Sequence, residues 1–323
     1  MKTCILLGQR ALALAVLLLL LAVQPGLNKG TGTALAASAS GDQYWDNRLG
    51  GPPGVSDRVT AIAVSGNDVY VGGDFTVAGR ISANYIARWN GGSWSPLGSG
   101  LNGAVDAIAV SGSDVYVGGD FTVAGGVQAN HIARWNGSRW FAVGGGVSGS
   151  WDPDGRPADS WSPTVSAIAI SGNDVYVGGI FTKAGTVPAN FVAKWNGHNW
   201  SALGSGVSGQ VSAIAVSGSD VYVGGDFEKA GGLTAYSVAR WDGHAWSALG
   251  NGMGVNAWVD ALVVSGNTVY AGVHFFSGNL DTVQKWDGSS WSALGSGLGY
   301  ECDATAMVLL GSDLYVSGCR DSA

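Results

Sequence analysis

The 323-residue sequence predicts an all-β fold, a β-propeller of four-stranded blades, on three observations. One blade-sized unit of about 46 residues recurs along the chain. Each unit divides into four short pieces rich in Val, Ile, Tyr and Trp and bounded by Gly, Asn, Asp and Ser, the signature of strands and turns. Ten of the 14 tryptophans fall in five pairs of fixed spacing, one pair per unit.

The repeat is read most easily from its second piece. VYVGGDF stands at Val69–Phe75, Val115–Phe121 and Val221–Phe227. It returns as VYVGGIF at Val175–Phe181, VYAGVHF at Val269–Phe275 and LYVSG at Leu314–Gly318, with spacings of 46, 60, 46, 48 and 45 residues. An apolar run such as Ala61–Val64 precedes each, across a turn such as Ser65-Gly66-Asn67-Asp68. A variable loop follows, then IARW (Ile86–Trp89), a polar turn and SWSPLG (Ser93–Gly98). These pieces are strands A to D. Strand A is apolar on both faces, as an inner strand must be, whereas strand C alternates as an outer strand does. A four-stranded unit of this length fits a propeller blade; a β-helix coil is shorter.

Complete strand sets run over Val59–Gly98, Val105–Gly144, Val165–Gly204, Val211–Gly250 and Val259–Gly295. Tyr44–Gly50 resembles strand D, and Ala304–Ser317 supplies strands A and B. The expectation is five complete blades and an incomplete sixth formed from both chain ends, because joining the ends removes exposed sheet edges. No strand C equivalent follows Gly318, which makes that last blade defective.

The pairs Trp89/Trp94, Trp135/Trp140, Trp195/Trp200, Trp241/Trp246 and Trp286/Trp291 place one ring on strand C and one on strand D of every blade. A residue required in every blade packs blade against blade, and each such ring removes large apolar area from water.

A hydrophobic strand ending in Gly-Gly, followed by an aromatic and later by paired tryptophans, resembles the kelch repeat of galactose-oxidase-like propellers. The fuller pattern VYVGGDFTVAGG at Val115–Gly126, with IARWNG at Ile132–Gly137, is similar to repeats of secreted bacterial proteins and of fungal cortical markers of the Rax2 type. The resemblance covers residues 44 to 318 and implies the kelch-like propeller fold. It implies no activity, because propellers host many unrelated ones. Copper chemistry of the galactose-oxidase kind does not carry over, since it needs a Cys–Tyr crosslink, and the cysteines here lie at the last hairpin.

Residues 1–39 read as a signal peptide. Lys2 and Arg10 flank the start, Ala11–Val23 is an unbroken apolar run, and Ala37-Ser38-Ala39 offers a small-residue cleavage site. That run of 13 residues is shorter than the ~20 needed to span a bilayer. Residues 40–323 then form a single propeller domain, secreted and extracellular or at the cell surface, with no membrane span after cleavage. Without Lys2, Arg10 and Lys29, 13 basic residues face 23 acidic ones, a net charge of −10. Such a surface excludes nucleic acid as a partner. Cys302 and Cys319 flank the last hairpin almost symmetrically and are expected to pair as a disulfide in an oxidising compartment.

Chain direction puts the D–A and B–C loops on one face and the short A–B and C–D turns on the other. Variable loops carry function more often than uniform turns. The largest departure from the repeat is the loop Ser148–Pro163, with Trp151, Asp152, Asp154, Arg156, Asp159 and Trp161, a set suited to clasping a sugar or peptide. Trp258, His274, Tyr300 and Glu301 depart from the repeat on the same face. Among residues that recur, Gly72/Gly73 and their equivalents are expected to permit close backbone approach or positive φ. Asp74, Asp120 and Asp226 are expected to accept from loop N–H groups, and Asn84, Asn130 and Asn190 to form Asx turns.

No histidine pair has metal-ligand spacing, and no nucleophile elbow or phosphate-cradling loop is present. No cofactor is expected. The sequence therefore favours an extracellular binding or surface-interaction module for a glycan or a protein, without evident catalysis. The alternatives are a polysaccharide-acting enzyme using carboxylates of the loop face, and a truncated paralogue without independent activity.

Overall fold

The computed structural model of the chain describes residues 6–7, 54–149, 162–276, 282–295, 298 and 302–319. Among these, five antiparallel sheets follow one another, each of four strands in the spatial order A-B-C-D. The inner A strands are Val59–Ser65, Val105–Ser111, Thr164–Ser171, Val211–Ser217 and Ala257–Ser265. Each is hydrogen-bonded to its B strand: Asp68–Gly73, Asp114–Gly119, Asp174–Ile180, Asp220–Gly225 and Thr268–Phe275. Strand C is four or five residues long and strand D three, from Ile86–Trp89 and Trp94–Pro96 to Thr282–Trp286 and Trp291–Ala293. A further A–B pair, Cys302–Leu310 with Asp313–Cys319, continues the series and sets Cys302 opposite Cys319 in backbone register. Leu6–Leu7 pairs in parallel with Val316 and Ser317, where the C strands of the other sheets run antiparallel. Tyr44–Gly50 lie outside the described residues.

Successive A strands pack side by side in chain order, from Val59–Ser65 to Cys302–Leu310. The Gly-Gly ending strand B makes this possible. A Cβ on Gly72, Gly118, Gly178 or Gly224 would overlap Val105, Val165, Val211 or Val259 of the next sheet, valines with 0% exposure. The missing side chain is thus the slot that seats the neighbouring sheet. A Cβ on the second glycine, Gly73, Gly119, Gly179 or Gly225, would strike the carbonyl oxygen of Arg58, Ala104, Thr164 or Gln210 in its own sheet. A β-bulge at the start of each A strand brings that oxygen close. None of these eight glycines has positive φ. Of the two reasons expected for them, only close approach operates.

The tryptophans lock the same junctions further out. The Trp140 indole N–H donates to the Leu97 carbonyl of the preceding sheet at 2.8 Å, Trp246 to Leu203 at 2.7 Å and Trp291 to Leu249 at 2.8 Å. Trp200 reaches Gly144 at 3.1 Å in the same way. Within a sheet the paired rings lie 5.3 to 5.5 Å apart and tilted. Apolar body and polar tip are both satisfied, so these rings are core.

The B–C connections, read from sequence as variable loops, contain order of their own. In the first four sheets each holds a two-residue ribbon, such as Val77–Ala78 with Ile81–Ser82. Tyr85, His131, Phe191 and Ser237 end these connections with φ between 64° and 73°, a conformation that side chains rarely adopt. Two backbone bonds hold it: Tyr85 N–H donates to Phe75 at 2.8 Å, and Gly73 N–H donates to Tyr85 at 3.1 Å.

Candidate binding face

The D–A and B–C segments share one face, and they are tied together. Val55, Leu101, Val147 and Val207 of the D–A segments pair with Ala78, Ala124, Ala184 and Ala230 of the ribbons. The side-chain amides of Asn84, Asn130 and Asn190 donate at 3.0 Å to the carbonyls of Ser99, Gly145 and Ser205, fifteen residues on. They therefore clamp one loop to another and do not make the local Asx turns expected. The local turns belong to the opposite face, where Asn90, Asn136, Asn196, Asp242 and Asp287 accept from the backbone of the C–D turns. Those backbone bonds hold the Asp287 carboxyl down at about 2.

Towards the inner strands, residues at or just before the A-strand bulges make further contacts. Arg58 donates to Asp74 at 2.8 Å, so Asp74 accepts from a side chain, and the backbone role expected for it is not found. Thr164 donates its hydroxyl to Asp106 of the preceding sheet at 3.1 Å. Trp258 donates its indole N–H to Ser212 of the preceding sheet at 2.8 Å. Burial and the neighbouring Asp120 charge raise the Asp106 carboxyl to about 6, while the Thr164 bond opposes the shift.

That raised value sets a sign. The folded chain keeps the Asp106 proton up to about pH 6 while the unfolded chain releases it near 3.8, so stability falls as pH rises between those values. Asp106→Asn is expected to stabilise the fold by about 1–3 kcal/mol at pH 8, after discounting for solvent, and by nothing at pH 3. Urea unfolding at the two pH values checks this; equal gains at both would contradict it.

The fifth sheet departs most from the others. Its A and B strands continue past the bulge, pairing Trp258 with His274 and Ala257 with Phe275, and Phe276 N–H donates to the Asn256 carbonyl at 3.1 Å. The Phe276 ring lies 6.1 Å from Trp258 and 5.2 Å from His274, edge-on to the latter. Phe276 is 57% exposed and Val255 64% exposed.

Residues 157–312 match the family model described as the Rax2 C-terminal beta propeller domain. The fold is a β-propeller. Among solved structures, the chain is similar to the computationally designed Ika8 protein at 18% identity, covering 84% of this chain and 96% of that one with a TM-score of 0.38. It is similar to a chain of the nidogen/laminin complex at 11% identity, with 82% and 86% coverage and a TM-score of 0.44. The beta-propeller domain of the Trilobed protease from Pyrococcus furiosus matches at 12% identity, with 75% and 85% coverage and a TM-score of 0.38. No curated protein matches the chain.

In blade terms, the site residues expected from sequence divide in two. Trp258 and His274 meet on blade five, in strand extensions and not in loops, because the register of that blade runs two residues further than in blades one, two and four. Trp151, Asp152, Asp154, Arg156, Asp159, Trp161, Tyr300 and Glu301 lie outside the described residues. Ile180, which replaces Asp on blade three, is 5% exposed and does not line the face. Sequence reasoning passed over Asp106 and Phe276. A charge inside the apolar run VDAIAV was the available signal for Asp106; Phe276 reads as one more apolar residue after the repeat string. Among the described residues no three His, Cys, Asp or Glu side chains group as metal ligands would.

Proposed function

We propose that this chain is a secreted, non-catalytic binding module that meets an extracellular glycan or protein on the face shared by its D–A and B–C loops. The aromatic group Trp258, His274 and Phe276 carries this reading. It occurs where the repeat is broken, and an exposed ring that the blade does not need marks an interaction site. Export rests on the leader-like residues 1–39 and on the facing register of Cys302 and Cys319, which suits a disulfide.

The kelch-like character of the blades and a sixth blade completed by the N-terminal segment belong to the same reading. The A–B pair after blade five and the strand-D-like Tyr44–Gly50 support a sixth blade. Ring closure has an obstacle: Ser317 stands where blades one to five carry the glycine that seats the next inner strand. No extended packing joins Cys302–Leu310 to Val59–Ser65 among the described residues.

Asp106, with a carboxyl near 6, is the group a polysaccharide-acting enzyme would use as an acid. Glycan and extracellular-protein arrays, run beside an assay for released reducing ends, separate the readings. Binding that Phe276→Ala weakens, with no reducing ends released, is the expected result. Turnover of a polysaccharide that Asp106→Asn abolishes would overturn the proposal.

A further inference from the structure

We infer that the mouth between blades four and five takes a lysine or arginine side chain presented by a basic segment of an extracellular protein. The inference rests on the binding reading above and narrows its partner. On leaving strand B, blade four presents Asp226-Phe227-Glu228 where blade five presents His274-Phe275-Phe276. In blade four the middle phenylalanine turns inward, Phe227 being 3% exposed, while in blade five His274 and Phe275 are half-buried; Asp226, Glu228 and Phe276 are exposed.

Hydrogen bonds hold the two sets side by side. Asp226 N–H donates to the Gln210 carbonyl at 2.9 Å. Two residues on, Ser212 accepts the Trp258 indole N–H from blade five at 2.8 Å. The Ser237 hydroxyl, at the end of the same B–C connection, donates to the Ala257 carbonyl at 2.7 Å, next to Trp258. The mouth thus joins two carboxylates to an aromatic group across one blade junction.

The two carboxylates are uncompensated. The ion pairs among the described residues use Asp68, Asp74, Asp114, Asp174 and Asp220, and none uses Asp226 or Glu228. Partial burial raises the Asp226 carboxyl, and the Glu228 charge raises it further, so an incoming cation would relieve a repulsion already present. The aromatic side supplies the complementary half. The one polar atom of Trp258 is committed to Ser212, which fixes the ring and leaves π surface to offer. Arginine and lysine lay an apolar stem along such rings and set the charged head against carboxylates. A neutral sugar would leave both charges unmet, and a sulfated or phosphorylated glycan would be repelled by them and by the acidic chain as a whole.

The test is a titration of the full secreted chain with fluorescein-labelled (Gly-Arg)4, with (Gly-Ser)4 and (Gly-Glu)4 alongside. Saturable binding of the arginine peptide alone is expected, weakened roughly tenfold by Phe276→Ala and by Glu228→Gln. Phe276→Leu, which keeps an apolar side chain without a π face, should weaken it as well. Asp287→Asn, in a C–D turn of the opposite face, should leave it unchanged. Absence of saturable binding, or binding equal in the wild type and the Phe276 and Glu228 variants, would overturn the inference. In that event a glycan or protein still captured on the arrays would leave the wider binding reading intact, so the two fail separately.

Discussion

Alanine at Gly178 is expected to destabilise the propeller by about 1–3 kcal/mol, the usual cost of overpacking a tight core. Its new methyl group would meet Val211 of blade four and come within 2.9 Å of the end of Ile214. Those are side chains, so the collision can be relieved: Val211→Ala on the Gly178→Ala background should recover part of the loss, a coupling that a double-mutant cycle reads directly. Alanine at Gly179 should cost more and resist any rescue of that kind. Its methyl group would meet the backbone carbonyl of Thr164, which the bulge holds in place and no side-chain change can move. Equilibrium unfolding of the three variants decides the matter. Equal losses for the two glycines, or no recovery with Val211→Ala, would show that the slot and the bulge are not separate constraints.

Trp246→Ala should lose about 3–5 kcal/mol, the range for deleting a large buried ring. Trp246→Phe divides that loss into its parts. Phenylalanine keeps much of the apolar contact but leaves the Leu203 carbonyl, now a 2.7 Å acceptor, without its donor, at a cost of about 1–3 kcal/mol. Trp241 supplies an internal control. It pairs with Trp246 and packs on Gly204 of blade three, yet its indole N–H donates to no acceptor among the described residues. Trp241→Phe should therefore cost clearly less than Trp246→Phe. Matching losses, measured by thermal or urea unfolding, would mean that ring packing alone holds the junctions.

The strands, their order within a blade and the packing role of the tryptophans were legible in the sequence, because each is a local pattern repeated five times. Val69–Phe75 and its copies announce strand B wherever they fall, and alternation separates outer from inner strands. The reading of the loops was poorer. The Asn84, Asn130 and Asn190 amides were expected to act within their own turns and instead reach fifteen residues forward. A side chain that bridges two loops has no signature in either loop alone.

The candidate site follows the same division. A break in the repeat at Trp258 and His274 was visible, since a repeat makes its own exceptions conspicuous. Asp106 was not singled out, because its threonine partner stands in another blade, and Phe276 was not, because the strand extension that sets it beside Trp258 and His274 has no pattern of its own. Asp106 acquires its raised carboxyl from burial and from Asp120, opposed by a bond from a threonine 58 positions away, and Trp258 is fixed by a serine 46 positions away.

By itself the sequence determined the blade: four strands, their turns, the glycine slots and the rings that fill the junctions, all products of hydrophobic periodicity and backbone geometry within about 46 residues. Only the tertiary structure decided which reason each glycine of the pair serves, which carboxylates are paired and which are left exposed, and which side chains of blades four and five share a mouth. Those outcomes depend on blade-to-blade spacing, which is set when one inner strand seats in the slot of the last and is written in no single repeat.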